Sequence, residues 1–330
     1  MKNWSHQLHY NLTSKQAFGT SRHEAKKQGT AHDKIFSFKT YQTYKKQGKY
    51  FIAYIKERHP NCKNLMKAKK YVNEYLSSLV SEGKSAWTIK TARSALNKIF
   101  QISVGDRYFF VAPSCRRADI KRSRGSVKSD SSFSVVKNAE LIDFARSTGL
   151  RRSGLSRLKG KDLFDRDRIE DSIKRIRALD RELTKEEKRQ LDAFETALLF
   201  REHSFVFVKE KGGRIRLAPI VGPNQVQTIE RIQNTLPEAR VWPHVPSNVD
   251  IHSYRAEYAQ IVYEMYARPI ETIPYDRINK GSGRAYQSEV YCCRADEKGR
   301  RLDKRAMWYT SKALGHNRIN VVAKHYLYGM

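Results

Sequence analysis

Six side chains in this sequence are of the types that handle a phosphate ester, and they come in a telling order. Arg151 follows Thr148-Gly149-Leu150, and Lys211 sits beside Gly212-Gly213. His252 and Arg255 form a His-x-x-Arg, His316 closes Leu314-Gly315-His316, and Tyr326 follows ten residues later. Two guanidiniums can grip phosphate oxygens bidentately. A lysine and two histidines can move protons at the attacking and leaving oxygens. A tyrosine hydroxyl can become a covalent phosphoester. Each piece alone has an ordinary explanation. An arginine after a helix end answers the dipole or faces solvent, and a strand-edge lysine guards the edge. A histidine can end a helix and a tyrosine can pack in a core. The ordered set is what points to a phosphate clamp with a proton donor and a nucleophile.

The charge balance names the kind of partner. There are 64 Lys and Arg against 34 Asp and Glu, a formal charge of +30 over 330 residues. Such an excess is a footprint for a polyanion, with DNA and RNA leading. A basic ribosomal protein would share the charge but rarely needs the six residues. A hydrophobic content of 39% with 18 Tyr argues against disorder. No apolar run approaches a membrane span, so no membrane partner is expected. The opening Met-Lys-Asn-Trp-Ser-His lacks the apolar core of a signal peptide, which makes cytoplasm or nucleoid the expected address. Cys62, Cys115, Cys292 and Cys293 fit no zinc spacing and are read as reduced thiols. No carboxylate cluster with metal spacing appears, so no metal and no cofactor are expected, and a two-metal nuclease is disfavoured.

The elements that must position these residues are legible from periodicity. Residues 1–33 are polar and basic, and read either as a loose, partly helical extension or as extra DNA contact. Three helices follow over 34–110. The first buries Tyr41, Tyr44, Phe51, Ile52 and Ile55, the second Leu65, Ala68, Val72, Tyr75, Leu76 and Leu79, and the third Ile89, Ala92, Leu96, Ile99 and Phe100. Their opposite faces carry Lys45, Lys46, Lys49 and Lys56, then Lys67, Lys69 and Lys70, then Lys90, Arg93 and Lys98. So one-sided a coat favours phosphate contact over simple solvation. Residues 111–132 have the composition of a linker, and Arg116, Arg117, Lys121, Arg122, Arg124 and Lys128 suggest that it also tracks DNA backbone.

A second domain is expected over 133–330. A helix from Ala139 ends at Gly149, and a short one carries Leu155 and Leu158. Residues 169–200 read as a helical pair, with Thr184 and Glu187 as a capping box. A hairpin over 205–209 and 214–220 turns at Gly212-Gly213. Pro223 opens a helix bearing Val226, Ile229 and Ile232. The His252 segment starts another, with Tyr258, Ile261, Val262 and Met265 on its buried side. Residues 268–288 are irregular, 290–293 read as a short strand, and Asp303 caps a helix through Leu314. A last helix carries Ile319, Val322 and Tyr326. The class expected is mainly α with small β-hairpins.

Thr148-Gly149-Leu150-Arg151, the hairpin lysine, His252-Ser253-Tyr254-Arg255, and Leu314-Gly315-His316 with Ala323-Lys324-His325-Tyr326 resemble the boxes of the tyrosine recombinase (phage integrase) family. The likeness spans roughly 36–328 and is strong only at the boxes, with the wording of a divergent bacterial or prophage branch. It implies a helical core-binding domain at 34–110 and an α+β catalytic domain at 133–330, in which 169–200 looks like an insertion. It implies Arg151 and Arg255 on the non-bridging oxygens and Tyr326 as nucleophile. Lys211, or Lys209 in its place, would be the acid for the 5′-hydroxyl, His252 the proton acceptor, and His316 a further hydrogen-bonding group. Arg152 would be a solvent-facing neighbour of Arg151. The product would be a 3′-phosphotyrosyl link, with bond energy conserved and no ATP required.

Three departures stand out. The carboxylate common three residues after the first arginine is replaced by Gly154, so the group that orients Arg151 must come from elsewhere. Ala256 and Glu257 replace the usual residues after Arg255. The usual nucleophile spacing falls on His325, which leaves Tyr326, or Tyr328 two residues on. The resemblance implies double-stranded DNA sites, a homotetramer on DNA and an accessory DNA-bending or directionality protein. Only four residues follow Tyr326, so protomer contacts are expected from other surfaces such as 169–200. Two rivals remain: a type IB topoisomerase, which shares the chemistry, and an integrase-derived DNA-binding protein without activity.

Overall fold

A computed structural model describes residues 3–116, 119, 133–210, 213–275 and 289–330. The chain divides into two compact units, Met1–Asp119 and Ile120–Met330. Among the described residues it is mainly helical, with two small antiparallel sheets. None of the described helices is long and apolar enough to cross a membrane.

The first unit contains α1 (Trp4–Thr13), α2 (Arg22–Lys27), α3 (Phe38–Arg58), α4 (Val72–Ser81, preceded by a 3-10 turn Met66–Tyr71) and α5 (Ala86–Phe100). Ser37 and Ser85 cap α3 and α5 by accepting from the amides of Thr40 and Thr88. The three expected helices supply Phe51, Leu76 and Leu96 to one core. The N-terminal segment joins them. Leu8 and Leu12 of α1 are buried in the same core, each contributing about 1.5–3 kcal/mol by leaving water. Gly48 permits this, since a Cβ there would stand 2.7 Å from Leu8 Cδ1. The described residues 3–33 are thus partly helical and packed on the core rather than loose.

Some cations of the basic coat also have partners within the unit. Lys69 pairs with Asp106 at 2.9 Å and lies over the Tyr108 ring, and Lys98 donates to the His32 carbonyl. Arg93 donates to the Phe110 carbonyl at 3.4 Å and stacks on Phe109. These cations tie the unit together. Lys49, Lys90 and Arg116 are exposed, and Lys45 is half-buried beside the Tyr41 ring. Arg117, Lys121, Arg122, Arg124 and Lys128 lie outside the described residues.

The second unit runs α6 (Ala139–Thr148), α7 (Arg152–Leu155), β1 (Leu163–Asp165), α8 (Arg166–Arg177), α9 (Lys185–Leu198), β2 (Ser204–Glu210), β3 (Arg214–Pro219), α10 (Gln225–Gln233), α11 (Ile251–Tyr266), β4 (Val290–Cys292), β5 (Arg301–Asp303), α12 (Lys304–Ala313) and α13 (Ile319–His325). The expected hairpin is present, with Phe205 opposite Pro219 and Glu210 opposite Arg214. A third strand, β1, pairs with β2 and was not anticipated, since three residues carry no periodicity. The Thr184–Glu187 box opens α9 and Asp303 caps α12, both as expected.

The central strand β2 is covered on both faces. Phe205 belongs to a core with Tyr258, Val262, Met307 and Val322. Val206 and Val208 belong to another with Leu141, Leu150, Leu155 and Trp242. This is the period-2 alternation of a strand between two apolar layers. The helices α8 and α9 form an excursion between the paired strands β1 and β2, yet Ile169, Ile173, Ala193 and Phe194 are part of the Phe205 core. Two expected core positions are on the surface instead: Val226 is 53% and Met265 43% exposed, while Tyr263 and Tyr266 take the buried side of α11.

Candidate active site

Gly149 ends α6 in the left-handed region, at φ 56°. A Cβ there would lie 2.2 Å from the Tyr258 ring, so glycine is required for backbone and for space alike. The turn delivers Arg151 to the N-cap of α7. Arg152, expected to face solvent, instead donates to the carbonyls of Pro246, of Ser247 (3.1 Å) and of Val249 (2.6 Å). It thereby anchors the segment that enters α11.

Helix α11 is capped by Asp250, which accepts from the Ser253 amide. Its Arg255 is fully buried. The guanidinium donates to the carbonyls of Gly149 and of Leu314, the latter at 2.5 Å, and its Nε lies 3.4 Å from the Tyr326 hydroxyl. His316 Nε2 lies 3.2 Å from the same hydroxyl. Four of the six expected residues are thus brought together: Arg151, Arg255, His316 and Tyr326. His252 is exposed on the first turn of α11. Lys211 lies outside the described residues, and its alternative, Lys209, is exposed and paired with Glu186 at 2.8 Å.

Three residues of this cluster were missed from sequence. Glu210, at the end of β2, is buried and meets three guanidiniums: Arg151, Arg216 (3.1 Å) and Arg255 (4.0 Å). Arg216 is buried on β3 and donates to the Ala313 carbonyl, while Arg214 donates to the Gly315 carbonyl. Arginines 216, 255 and 214 therefore take the carbonyls of 313, 314 and 315 in turn, satisfying the C-terminal end of α12. Gly315, at φ 69°, leaves room for this clasp, since a Cβ would meet Arg216 Cδ at 2.8 Å. A signal did exist: a charged residue in the apolar run Ile215-Arg216-Leu217-Ala218-Pro219-Ile220 is rarely buried unless paired.

The electrostatics are those of an anion site. Three guanidiniums face one carboxylate. Burial first, then Arg255 nearby, pushes the pKa of Arg151 down to about 10 and that of Arg216 to about 9. Arg216 Nη2 is buried with no hydrogen-bond partner among the described residues. Burial and the surrounding arginines hold His316 down to about 3, so its ring is neutral at physiological pH.

Tyr326 caps α13, its amide donating to the Val322 carbonyl at 2.9 Å, and its ring is buried in the core that holds Val322. No family model matches the chain, and no curated protein matches it significantly. Among the described residues no group of His, Cys, Asp and Glu is arranged to hold a metal ion.

Proposed function

We propose that this protein is a site-specific DNA recombinase of the tyrosine type, which breaks and rejoins DNA to integrate or excise a mobile element. One observation carries the reading: the Tyr326 hydroxyl sits between Arg255 and His316 in a buried site with an excess of guanidinium charge. In this reading the Tyr326 oxygen attacks the scissile phosphorus, a phosphotyrosyl bond forms at the 3′ side, and the bond to the 5′ oxygen breaks. Arg151 and Arg255 hold the non-bridging oxygens and stabilise the charge that builds there. Lys211 gives its proton to the departing 5′ oxygen. The proton of Tyr326 passes to neutral His316, which geometry favours for this step over exposed His252. Reversal with another 5′-hydroxyl joins the new strand.

The same reading makes the first unit a core-binding domain and the second the catalytic domain, working as a homotetramer on two DNA duplexes. The net charge of +30 supports a DNA partner. A nicked suicide substrate tests the chemistry. A denaturation-resistant protein–DNA adduct, formed in EDTA, is the expected result, and the absence of any adduct would leave a DNA-binding protein without cleavage. Strand exchange without supercoil relaxation separates recombinase from topoisomerase.

A further inference from the structure

Arg216 and Arg255 are fixed by the backbone, through the carbonyls of Ala313, Gly149 and Leu314. Arg151 is held differently. Its side chain is 33% exposed, and its described partner is the carboxylate of Glu210, itself only 5% exposed. Glu210 is fixed in turn by Arg216 Nε, its diagonal neighbour across the β2–β3 ladder, where Val208 faces Arg216 and Glu210 faces Arg214. A line of contact thus runs from buried Arg216 through Glu210 to the accessible Arg151. Position 154, where the family this chain resembles carries a carboxylate, is a glycine.

We infer that Glu210 is the positioning residue of this site: its carboxylate aims the Arg151 guanidinium at the phosphate oxygen, doing from the end of β2 what no side chain does from position 154. The inference rests on the phosphoryl-transfer reading above. The carboxylate does not cancel the anion site, because the three guanidiniums it meets outnumber it. One carboxylate oxygen faces Arg151 Nη1 and the other faces Arg216 Nε, so Glu210 bridges the two guanidiniums and ties the accessible one to the fixed one. An arginine released from that tie keeps its charge, so it still attracts DNA, but it misses the geometry that speeds the reaction.

The test compares Glu210→Gln with the parent in three measurements: DNA affinity, the rate of adduct formation on a nicked substrate, and mass-mapped modification of Arg151 by phenylglyoxal. A folded Glu210→Gln protein should bind DNA at least as tightly, form adduct about 100-fold more slowly, and expose Arg151 to the reagent. Gly154→Glu added to Glu210→Gln should recover at least about tenfold of the lost rate, as a relocated carboxylate restores the orientation. A Cβ at position 154 meets nothing closer than 3.6 Å, so the site admits that side chain's root. Adduct formation by Glu210→Gln within about threefold of the parent, or unchanged protection of Arg151, overturns the inference and leaves the recombinase reading intact. A parent that forms no adduct sinks both. Should Glu210→Gln lose its cooperative unfolding transition, Glu210→Asp is read instead. That variant keeps the charge and shortens the reach, so a stable fold with slowed cleavage supports the role and parent-like cleavage refutes it.

Discussion

Arg255 brings its Nε within 3.4 Å of the Tyr326 hydroxyl across 71 residues of sequence. The contact joins the middle of the second unit to its last helix and makes Tyr326 the nucleophile of the proposed reaction. Tyr326→Phe removes the hydroxyl alone. It should abolish the covalent DNA complex, keep DNA affinity, and cost no more than about 3 kcal/mol of stability, since the hydroxyl has contacts to both Arg255 and His316. Tyr328→Phe should leave cleavage largely intact. Mapping the DNA-linked peptide to Tyr328, or an active Tyr326→Phe protein, would overturn the assignment.

His316 gives a prediction with a sign. Its pKa is about 3 in the folded protein against the ordinary 6.5. Between those values the unfolded chain binds more protons, so this group's contribution makes stability fall as pH drops from 6.5 towards 3. The imidazole should remain neutral at pH 5 by nitrogen-resolved NMR. An oxyanion in the site, such as vanadate, should raise the pKa by offsetting the arginine charges. A free-protein titration near 6.5 would contradict the geometry.

Arg216 should be costly to truncate, since it is buried and serves two partners. Arg216→Ala takes the Nε partner from the buried Glu210 carboxylate, leaving it to Arg151 and Arg255, and removes the donor to the Ala313 carbonyl, a loss of about 3–5 kcal/mol. Arg216→Lys should recover little, because a point charge cannot make both contacts of a planar fork. Removing both charges, in Arg216→Met with Glu210→Gln, should cost less than the sum of the single changes. Urea unfolding of the second unit reads all of these, and strict additivity would show that the pair is not coupled.

Arg151, Arg255, His316 and Tyr326 were legible because each sits at a helix end or on a periodic face, where local spacing implies position. Glu210 and Arg216 gain their meaning from a strand register and from the loop at 313–315, neither of which local pattern reveals. The helices over 139–149, 185–198 and 304–313 were readable from their caps and apolar stripes. Strand β1 was too short to announce itself. The role of α1 was hidden because Leu8 and Leu12 lie in a segment dominated by polar residues, and only the notch at Gly48 shows where they go.

Salt should separate the cations that meet DNA from those that hold the first unit together. If about eight phosphates are neutralised, log K should fall against log salt with a slope near −7, and a slope shallower than about −2 would contradict the basic-coat reading. Lys49→Ala, Lys90→Ala and Arg116→Ala should each flatten the slope by roughly 1 while sparing sequence preference. Arg93→Ala should instead destabilise the unit, because Arg93 is tied to Phe109 and Phe110.

The helical pair α8–α9 should serve assembly through its outer face only. Deleting it cannot test this, because Ile169, Ile173, Ala193, Phe194 and Ala197 are core residues and their loss would unfold the unit. The exposed pairs Lys174–Asp171 (3.5 Å) and Arg177–Glu195 (2.6 Å) offer a cleaner probe. Replacing all four by alanine removes two charges of each sign, so net charge and nonspecific DNA attraction are preserved. Such exposed pairs are each worth no more than about 1 kcal/mol, so the fold should survive. Single-site binding and adduct formation should match the parent, while pairing of two DNA sites, read by gel shift, should be impaired. Recombination at the parental rate by the quadruple variant would place the protomer contacts elsewhere.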